Sequence, residues 1–550
     1  MDDFNSYIRS RPLCLDGAMG TMVQALGLGD EYYGGADYRM LGDLLCLSLP
    51  EEITRIHGAY LEAGAHAVET NSFGASAFRL SEYDFTGLDL RAWSPDPEGI
   101  DPRRLSHGAL ARLLSRRAAR LAREAVRRYR ESGKWDGQPL FVVGSIGPSN
   151  RVVSSTRADL RRATFDEVAE NFREQCLGLL EGGADVLLFE TQQDVLELKA
   201  AVFGAKRAMA DLNRQVPIMA QVTVDQFSRM QIFNTHAHAA LVTMQDIGID
   251  VFGINCSIGP DLMARTVEIL SRYSRLPISV IPNAGLPVSE GGRTVYRFDP
   301  EKFAGHLREF VSEYGVNIVG GCCGTTPDHI RATVEAIRDV RPRERAPDPG
   351  LFVSGPQEAV RLDGSAALIR FGERLNVRGS KKVREAVERE GDIDHDVLEE
   401  VVREQVEGLG CEVIDVCMDS NVVDTVARHA WLTSDAYGEL NQDRDIGTKI
   451  NTKGLQALDD AFARLREFIM AKRKPLHYAE TLAALPSYLD QEPSRSLLAL
   501  AFQRMGLELV HVAPTDLVIS AEETPENVAL HDLEALAQYV RQEFLRMGKT

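Results

Sequence analysis

Eight short apolar runs recur between residues 13 and 320, each followed by a longer stretch with helical periodicity. They lie at 13–16, 67–70, 140–144, 186–190, 218–222, 251–255, 278–282 and 317–320. Strands this uniformly apolar are buried on both faces, and their alternation with amphipathic helices predicts a parallel sheet covered by helices. Eight such units fit an α/β fold of the (β/α)8 TIM-barrel type with insertions. An open doubly wound sheet is the main rival, but its glycine-rich phosphate turn is missing after the first run. Chemically active residues mark the same end of nearly every run: Asp16-Gly17, Glu69-Thr70-Asn71, Gly144-Ser145-Ile146-Gly147, Glu190-Thr191, Asp225, Cys256, Asn283 and Cys322-Cys323. In a barrel these ends share one mouth, where barrel active sites sit.

The thiols sharpen that expectation. Two adjacent cysteines stand in a glycine frame, Gly320-Gly321-Cys322-Cys323-Gly324-Thr325-Thr326, between an apolar run and a helix opening near Pro327. A third, Cys256, ends another run in Gly253-Ile254-Asn255-Cys256-Ser257-Ile258-Gly259-Pro260. Three thiols at the ends of parallel strands can converge on one ion. Zinc held by three protein ligands keeps a fourth position open, as in catalytic sites. A lone cysteine is ordinarily a small buried apolar residue, and Cys14, Cys46, Cys176 and Cys411 read that way.

Eight cysteines among 550 residues are too sparse for a disulfide scaffold. The start, Met1-Asp2-Asp3-Phe4-Asn5, has neither a basic flank nor an apolar run, so no export signal is expected. Reduced thiols and a cytoplasmic location follow as expectations. No apolar stretch is long enough to span a bilayer, so no membrane partner is expected. The net charge of −19 argues against nucleic acid as a partner.

The length predicts more than one domain. A barrel is expected over 1–340, with an arginine-rich insertion near 80–125 (Arg103, Arg104, Arg112, Arg116, Arg117, Arg120) forming a solvated surface helix. Prolines and glycines among charges make 341–366 a linker. In 367–550, strands are expected at 367–372, 412–419 and 507–512, with a helix over 397–408 and helical or loop structure over 420–475. Three strands are too few for a second full barrel.

Asp16-Gly17-Ala18-Met19-Gly20-Thr21, Glu69-Thr70-Asn71, Gly144-Ser145-Ile146-Gly147-Pro148, Asn255-Cys256, Pro282-Asn283-Ala284-Gly285 and Gly320-Gly321-Cys322-Cys323-Gly324 occur in an order that resembles the zinc-dependent homocysteine S-methyltransferase family. The resemblance covers residues 1–340. The segment beyond it looks like the start of a pterin-binding methyltransferase domain, in which a Glu-Arg-x-Asn strand and an Asp-x-x-x-Asp strand face the pterin. A homocysteine-binding barrel followed by a pterin domain is the order at the front of the cobalamin-dependent methionine synthase family. Cys417 stands where that family usually has asparagine, and the middle strands of a pterin barrel are missing. Residues 367–550 are therefore expected to form a smaller, incomplete α/β pterin-binding-like domain. No Asp-x-His-x-x-Gly loop occurs, so a corrinoid protein is expected in trans.

The resemblance implies an enzyme that makes methionine from homocysteine, with Cys256, Cys322 and Cys323 holding Zn2+ and the substrate sulfur as fourth ligand. A free thiol with a pKa of about 8.5 is only a few per cent ionised at neutral pH. Binding to zinc deprotonates it, and no protein acid or base is implied beyond that zinc-bound thiolate. Asp16, Gly17, Ala18, Glu190 and Asn283 are implied as homocysteine contacts, Glu190 taking the ammonium. Glu69 and Asn71 read equally as loop-orienting hydrogen-bond partners, and His66, at a strand start, as a core histidine. Glu373, Asn376, Asp415 and Asp419 are implied to bind a pterin such as methyltetrahydrofolate, although such residues also serve as caps and loop anchors. The implied donor is methylcobalamin on the corrinoid protein, charged from the pterin. S-methylmethionine or betaine would need no corrinoid. A scaffold that binds homocysteine or a corrinoid protein without turnover is the alternative from another class.

Overall fold

The computed structural model describes residues 4–417, apart from 94–96, 155–162, 291–292, 349, 356, 363–370, 377–379, 388–394 and 406–412, and beyond 417 the strand residues 433–434, 476–477, 507–512 and 515–520. The first part runs α1 (Phe4–Ser10), β1 (Leu13–Cys14), α2 (Met19–Ala25), α3 (Leu45–Ser48), α4 (Pro50–Glu62), β2 (Ala67–Glu69), α5 (Ala77–Leu80), α6 (His107–Glu131), β3 (Phe141–Ile146), α7 (Phe165–Gly182) and β4 (Val186–Gln192). It continues with α8 (Val195–Asp211), β5 (Ile218–Val222), α9 (Ala237–Gln245), β6 (Val251–Asn255), α10 (Pro260–Tyr273), β7 (Ile278–Ile281), the hairpin β8 (Val288–Glu290) and β9 (Arg293–Val295), α11 (Pro300–Tyr314), β10 (Ile318–Val319) and α12 (Pro327–Ile337). All eight apolar runs form strands.

The strands pair in the order β1-β10-β7-β6-β5-β4-β3-β2, every pair parallel. The outer two meet through a bridge between Leu15 and Ala67, and His66 N–H donates to Cys14 O at 2.8 Å. That contact closes the sheet into a barrel. His66 also accepts the Cys14 N–H on Nδ1, and burial lowers its pKa to about 4, so it stays neutral as a structural clasp.

Side-chain alternation divides the core into two layers. Val142, Leu187, Ala220 and Phe252 face the helices, whereas Leu13, Val143, Leu188, Met219, Val251 and Ile318 fill the barrel. Helix α1 plugs the end opposite the mouth: Phe4 and Ile8 join the inner layer, with Phe4 edge-on to Phe141 at 5.2 Å.

The expected arginine-rich helix is α6, capped by Ser106, whose side chain accepts from Ala109 N–H. Arg116, Arg117 and Arg120 converge on Glu98, and Arg112 pairs with Glu181, while Arg103 and Arg104 precede the helix and pair with Asp101. Helices α6 and α7 approach closely at Gly178, where an added Cβ would lie 2.3 Å from Arg112 O. Gly178→Ala would gain about 1 kcal/mol from helix propensity alone. A backbone clash this short outweighs that gain, since overpacking costs about 1–3 kcal/mol. The variant is expected to unfold at lower temperature, which a thermal melt checks.

The stretch expected as a linker carries a hairpin, β11 (Phe352–Ser354) and β12 (Ala359–Arg361). It clasps α9: the His238 ring stacks on Tyr273 at 4.0 Å and meets Phe352 edge-on, and Thr243 and Ser354 share a 2.7 Å hydrogen bond. Strands of three residues among prolines leave too little pattern for sequence to register. Next come β13 (Phe371–Asn376), α13 (Lys381–Val387), α14 (His395–Arg403), β14 (Val413–Cys417) and β15 (Thr433–Ser434), which pairs with β11. Strands β13 and β14 are parallel, with Asn376 opposite Cys417 and a register shift between Gly372 and Leu375.

By contact the chain divides into two compact units, Met1–Asp435 and Ala436–Thr550. In the second, β16 (Leu476–His477), β17 (Leu507–Val512) and β18 (Thr515–Ser520) form an antiparallel sheet in the order β16-β18-β17. The expected strand at 507–512 is β17. Cys411, Asp419, residues 367–370 and the readings for 420–475 lie outside the described residues, apart from β15. Among the described residues, no helix is long and apolar enough to cross a membrane.

Candidate metal and substrate site

Strand β6 ends at Asn255, and the chain turns through Cys256 and Ser257 with φ of 63° and 66°. Two successive non-glycine residues in the left-handed region are costly and persist only where surroundings over-determine them. Cys256 N–H donates to Ile281 O at 3.0 Å, fixing the turn against β7. Beyond β10, Cys322 N–H donates to Pro282 O at 2.8 Å, and Gly321 N–H to Asp16 O at 3.1 Å. Thr325 binds the turn back on itself, its Oγ1 donating to Cys322 O and accepting Ala18 N–H. The Ala18 amide therefore holds this turn, and the Tyr60 hydroxyl donates to Ala18 O on the other side.

These two turns bring the three predicted thiols together. Cys323 Sγ lies 3.9 Å from Cys256 Sγ and 4.0 Å from Cys322 Sγ, and all three fall within 4.8 Å of one another. Sulfurs about 2.3 Å from a tetrahedral zinc stand roughly 3.8 Å apart, close to the two spacings about Cys323, so the donor set suits one zinc ion. All three are partly exposed on the mouth side, unlike Cys14, Cys46 and Cys176, which are buried and whose thiols burial pushes upward. Within the trio, donation from Cys322 and Cys323 stabilises the Cys256 thiolate and lowers its pKa, which raises the other two.

Behind the sulfurs the mouth narrows onto three carboxylates. Asp16 is 2% exposed, and both its oxygens accept the Glu69 N–H at 3.1 Å. Glu190, 7% exposed, accepts from the Ser145 hydroxyl at 2.5 Å and from Asn255 Nδ2 at 3.2 Å. Burial raises all three above the usual carboxylate range, Glu190 to about 7, and their mutual repulsion adds to the rise for Asp16 and Glu69. Among the described residues none of the three pairs with a lysine or arginine, so the pocket favours a cationic guest.

Asn283 is buried, with its amide turned to Cys256 and its Oδ1 without a partner. Asn71 instead serves the surrounding loops, its Nδ2 donating to Gly42 O. Asn255, given no role from sequence, is fully buried and links Glu190 to the β4 terminus: its Oδ1 accepts Thr191 N–H at 2.7 Å and its Nδ2 donates to Thr191 Oγ1. Its place directly before Cys256 at a strand end was the available signal. Tyr60 and Tyr296 also escaped sequence reading, because one lies inside a helix and the other after a hairpin.

Of the proposed pterin contacts, Glu373 and Asn376 lie on β13 and Asp415 on β14, while Asp419 is outside the described residues. The parallel pairing sets Asn376 opposite Cys417, two positions along β14 from Asp415.

The family model for homocysteine S-methyltransferase matches residues 13–337, the whole barrel. The chain belongs to the homocysteine S-methyltransferase family. Among relatives of this family member, the methionine synthase of Mycobacterium tuberculosis is 34% identical over 432 residues, covering 78% of this chain and 33% of that protein. The methionine synthase of Mycobacterium leprae is 34% identical over 422 residues, covering 76% and 32%. The chain thus spans about a third of the length of the curated relatives it matches. The oxidized form of the homocysteine methyltransferase MmuM from Escherichia coli aligns at 24% identity and a TM-score of 0.43, covering 58% of this chain and 94% of that one. Its metallated form aligns at 22% identity and a TM-score of 0.43, covering 59% and 96%.

Proposed function

We propose that this homocysteine S-methyltransferase converts homocysteine to methionine at the barrel mouth, with Cys256, Cys322 and Cys323 holding zinc. The observation that carries this reading is the juxtaposition of three sulfurs spaced for one ion with buried carboxylates awaiting a cation. Homocysteine brings a thiol and an ammonium, one for each. Zinc, when bound, supplies a Lewis acid that lets a thiol ionise at neutral pH.

The chain's own residues do the rest. Glu190, held by Ser145 and Asn255, is aimed to take the ammonium, with Asp16 adding negative potential beside it. Gly17 and Ala18 follow Asp16 directly and would line the same pocket, in the turn pinned by Thr325 and Tyr60. Asn283 offers its unpartnered Oδ1 to a substrate N–H. Fixing both ends of the amino acid leaves its sulfur lone pair facing the open mouth, where a methyl donor approaches in line. The sulfur provides the electron pair of the new S–CH3 bond, and the donor departs with the pair of the bond that breaks.

The donor we favour is methylcobalamin on a separate corrinoid protein, charged from methyltetrahydrofolate. What supports a pterin-charged donor is the motif set Glu373, Asn376, Asp415 and Asp419, in a segment that the 432 residues matched to the Mycobacterium tuberculosis methionine synthase reach beyond the barrel. Purified zinc-loaded protein given homocysteine is expected to form methionine with methylcobalamin, and not with S-methylmethionine or betaine. Methionine formed from a sulfonium without any corrinoid would remove this donor. No methionine under any donor, with thiol-dependent zinc binding intact, would favour the scaffold.

A further inference from the structure

Tyr296 belongs to none of the motifs above, yet it lies against the cysteine cluster. It follows the β8–β9 hairpin, which is inserted between β7 and α11. Backbone pairing ties the end of this insertion to the site: Phe298 N–H donates to Ala284 O at 3.0 Å, and Ala284 N–H to Cys323 O at 2.9 Å. The ring rests on Gly324, where an added Cβ would fall 2.1 Å from Tyr296 Cγ and where φ is +81°. Only glycine fits that position, so the ring packs directly on the residue that follows Cys323.

The phenol faces Cys323, with the Cys256 and Cys322 sulfurs near enough to act on it. Three thiolates outweigh the charge of a divalent ion, and a fourth from substrate adds to the excess. Donors on the sulfurs offset this charge, and such outer partners set how strongly ligands give electron density to a metal. Cys256 has two, the Ser257 backbone N–H and the Asn283 amide. For Cys323 the corresponding side chain is Tyr296.

We propose that Tyr296 is a positioning residue: its hydroxyl donates to Cys323 Sγ, holds that sulfur beneath the hairpin, and offsets the charge a bound homocysteine thiolate adds. The inference rests on reading the cluster as a zinc site for that thiol. It is tested with the full-length chain and Y296F, which keeps the ring on Gly324 and removes only the hydroxyl. Both are loaded with Co2+, whose thiolate charge-transfer band reports electron donation by sulfur. The expected result is one metal per chain, a band shifted to longer wavelength, and homocysteine affinity, read from the same band, about 10- to 100-fold weaker. A wild-type band and wild-type affinity in Y296F would overturn the inference. Failure of the unsubstituted protein to bind homocysteine at the metal would instead overturn the reading beneath it.

Discussion

Cys323→Ser is expected to strip the protein of stably bound zinc and to abolish methionine formation. Cys323 Sγ is the middle member of the trio, within 4.0 Å of both other sulfurs, and among the described residues no other thiol joins the cluster. A serine hydroxyl is shorter, holds its proton at neutral pH and is a poor partner for zinc. Structural zinc sites with four ligands bind with about 10–16 kcal/mol, so one lost thiolate costs roughly 3–4 kcal/mol, or a few hundredfold in affinity. Dialysis against a chelator followed by metal analysis measures this directly. Cys176→Ala is the control, since that cysteine is buried alone in α7 and its loss leaves the metal untouched. Stoichiometric zinc in the serine variant after dialysis would end the assignment of this cluster as the metal site.

Much of the barrel was legible because its signals are redundant. Each strand is apolar on both faces, and each ends in residues that only a mouth needs, so the period and the chemistry agree on eight units. Cys322 and Cys323 were legible because adjacent thiols between glycines have no packing purpose. Less visible were features set by tertiary contact. Asn255 looks like any strand-end amide until Thr191 and Glu190 are found on either side of it. The β8–β9 hairpin did leave a trace, Gly291-Gly292 between short β-prone runs, which is a hairpin turn signal. Tyr296 acquires meaning only from Gly324, a neighbour distant in sequence. The clasp of β11 on α9 depends on three aromatic rings brought from separate elements, so composition alone read it as a tether.

Glu190→Gln is expected to raise KM for homocysteine while leaving zinc content and the fold intact. The amide fits the same place: its oxygen can accept from Asn255 Nδ2 while its NH2 donates to the Ser145 hydroxyl, so both existing partners are kept. What disappears is the charge that meets the substrate ammonium. A hydrogen bond to a charged group contributes about 1.5–3 kcal/mol, so KM should rise roughly 10- to 150-fold. The pH dependence separates this effect from a loss of shape. Burial disfavours the ionised form of Glu190 and raises its pKa to about 7. Below that pH the group is neutral and gives the ammonium no counter-charge; above it the carboxylate is present. The wild-type KM should therefore fall between pH 6 and pH 8, with the part due to Glu190 absent from the variant, where only ionisation of the substrate thiol remains. Initial rates across that range at saturating donor provide the comparison. A variant with the wild-type KM at pH 8 would mean that the ammonium lies elsewhere, and attention would turn to Asp16 and Glu69, the other carboxylates of the pocket.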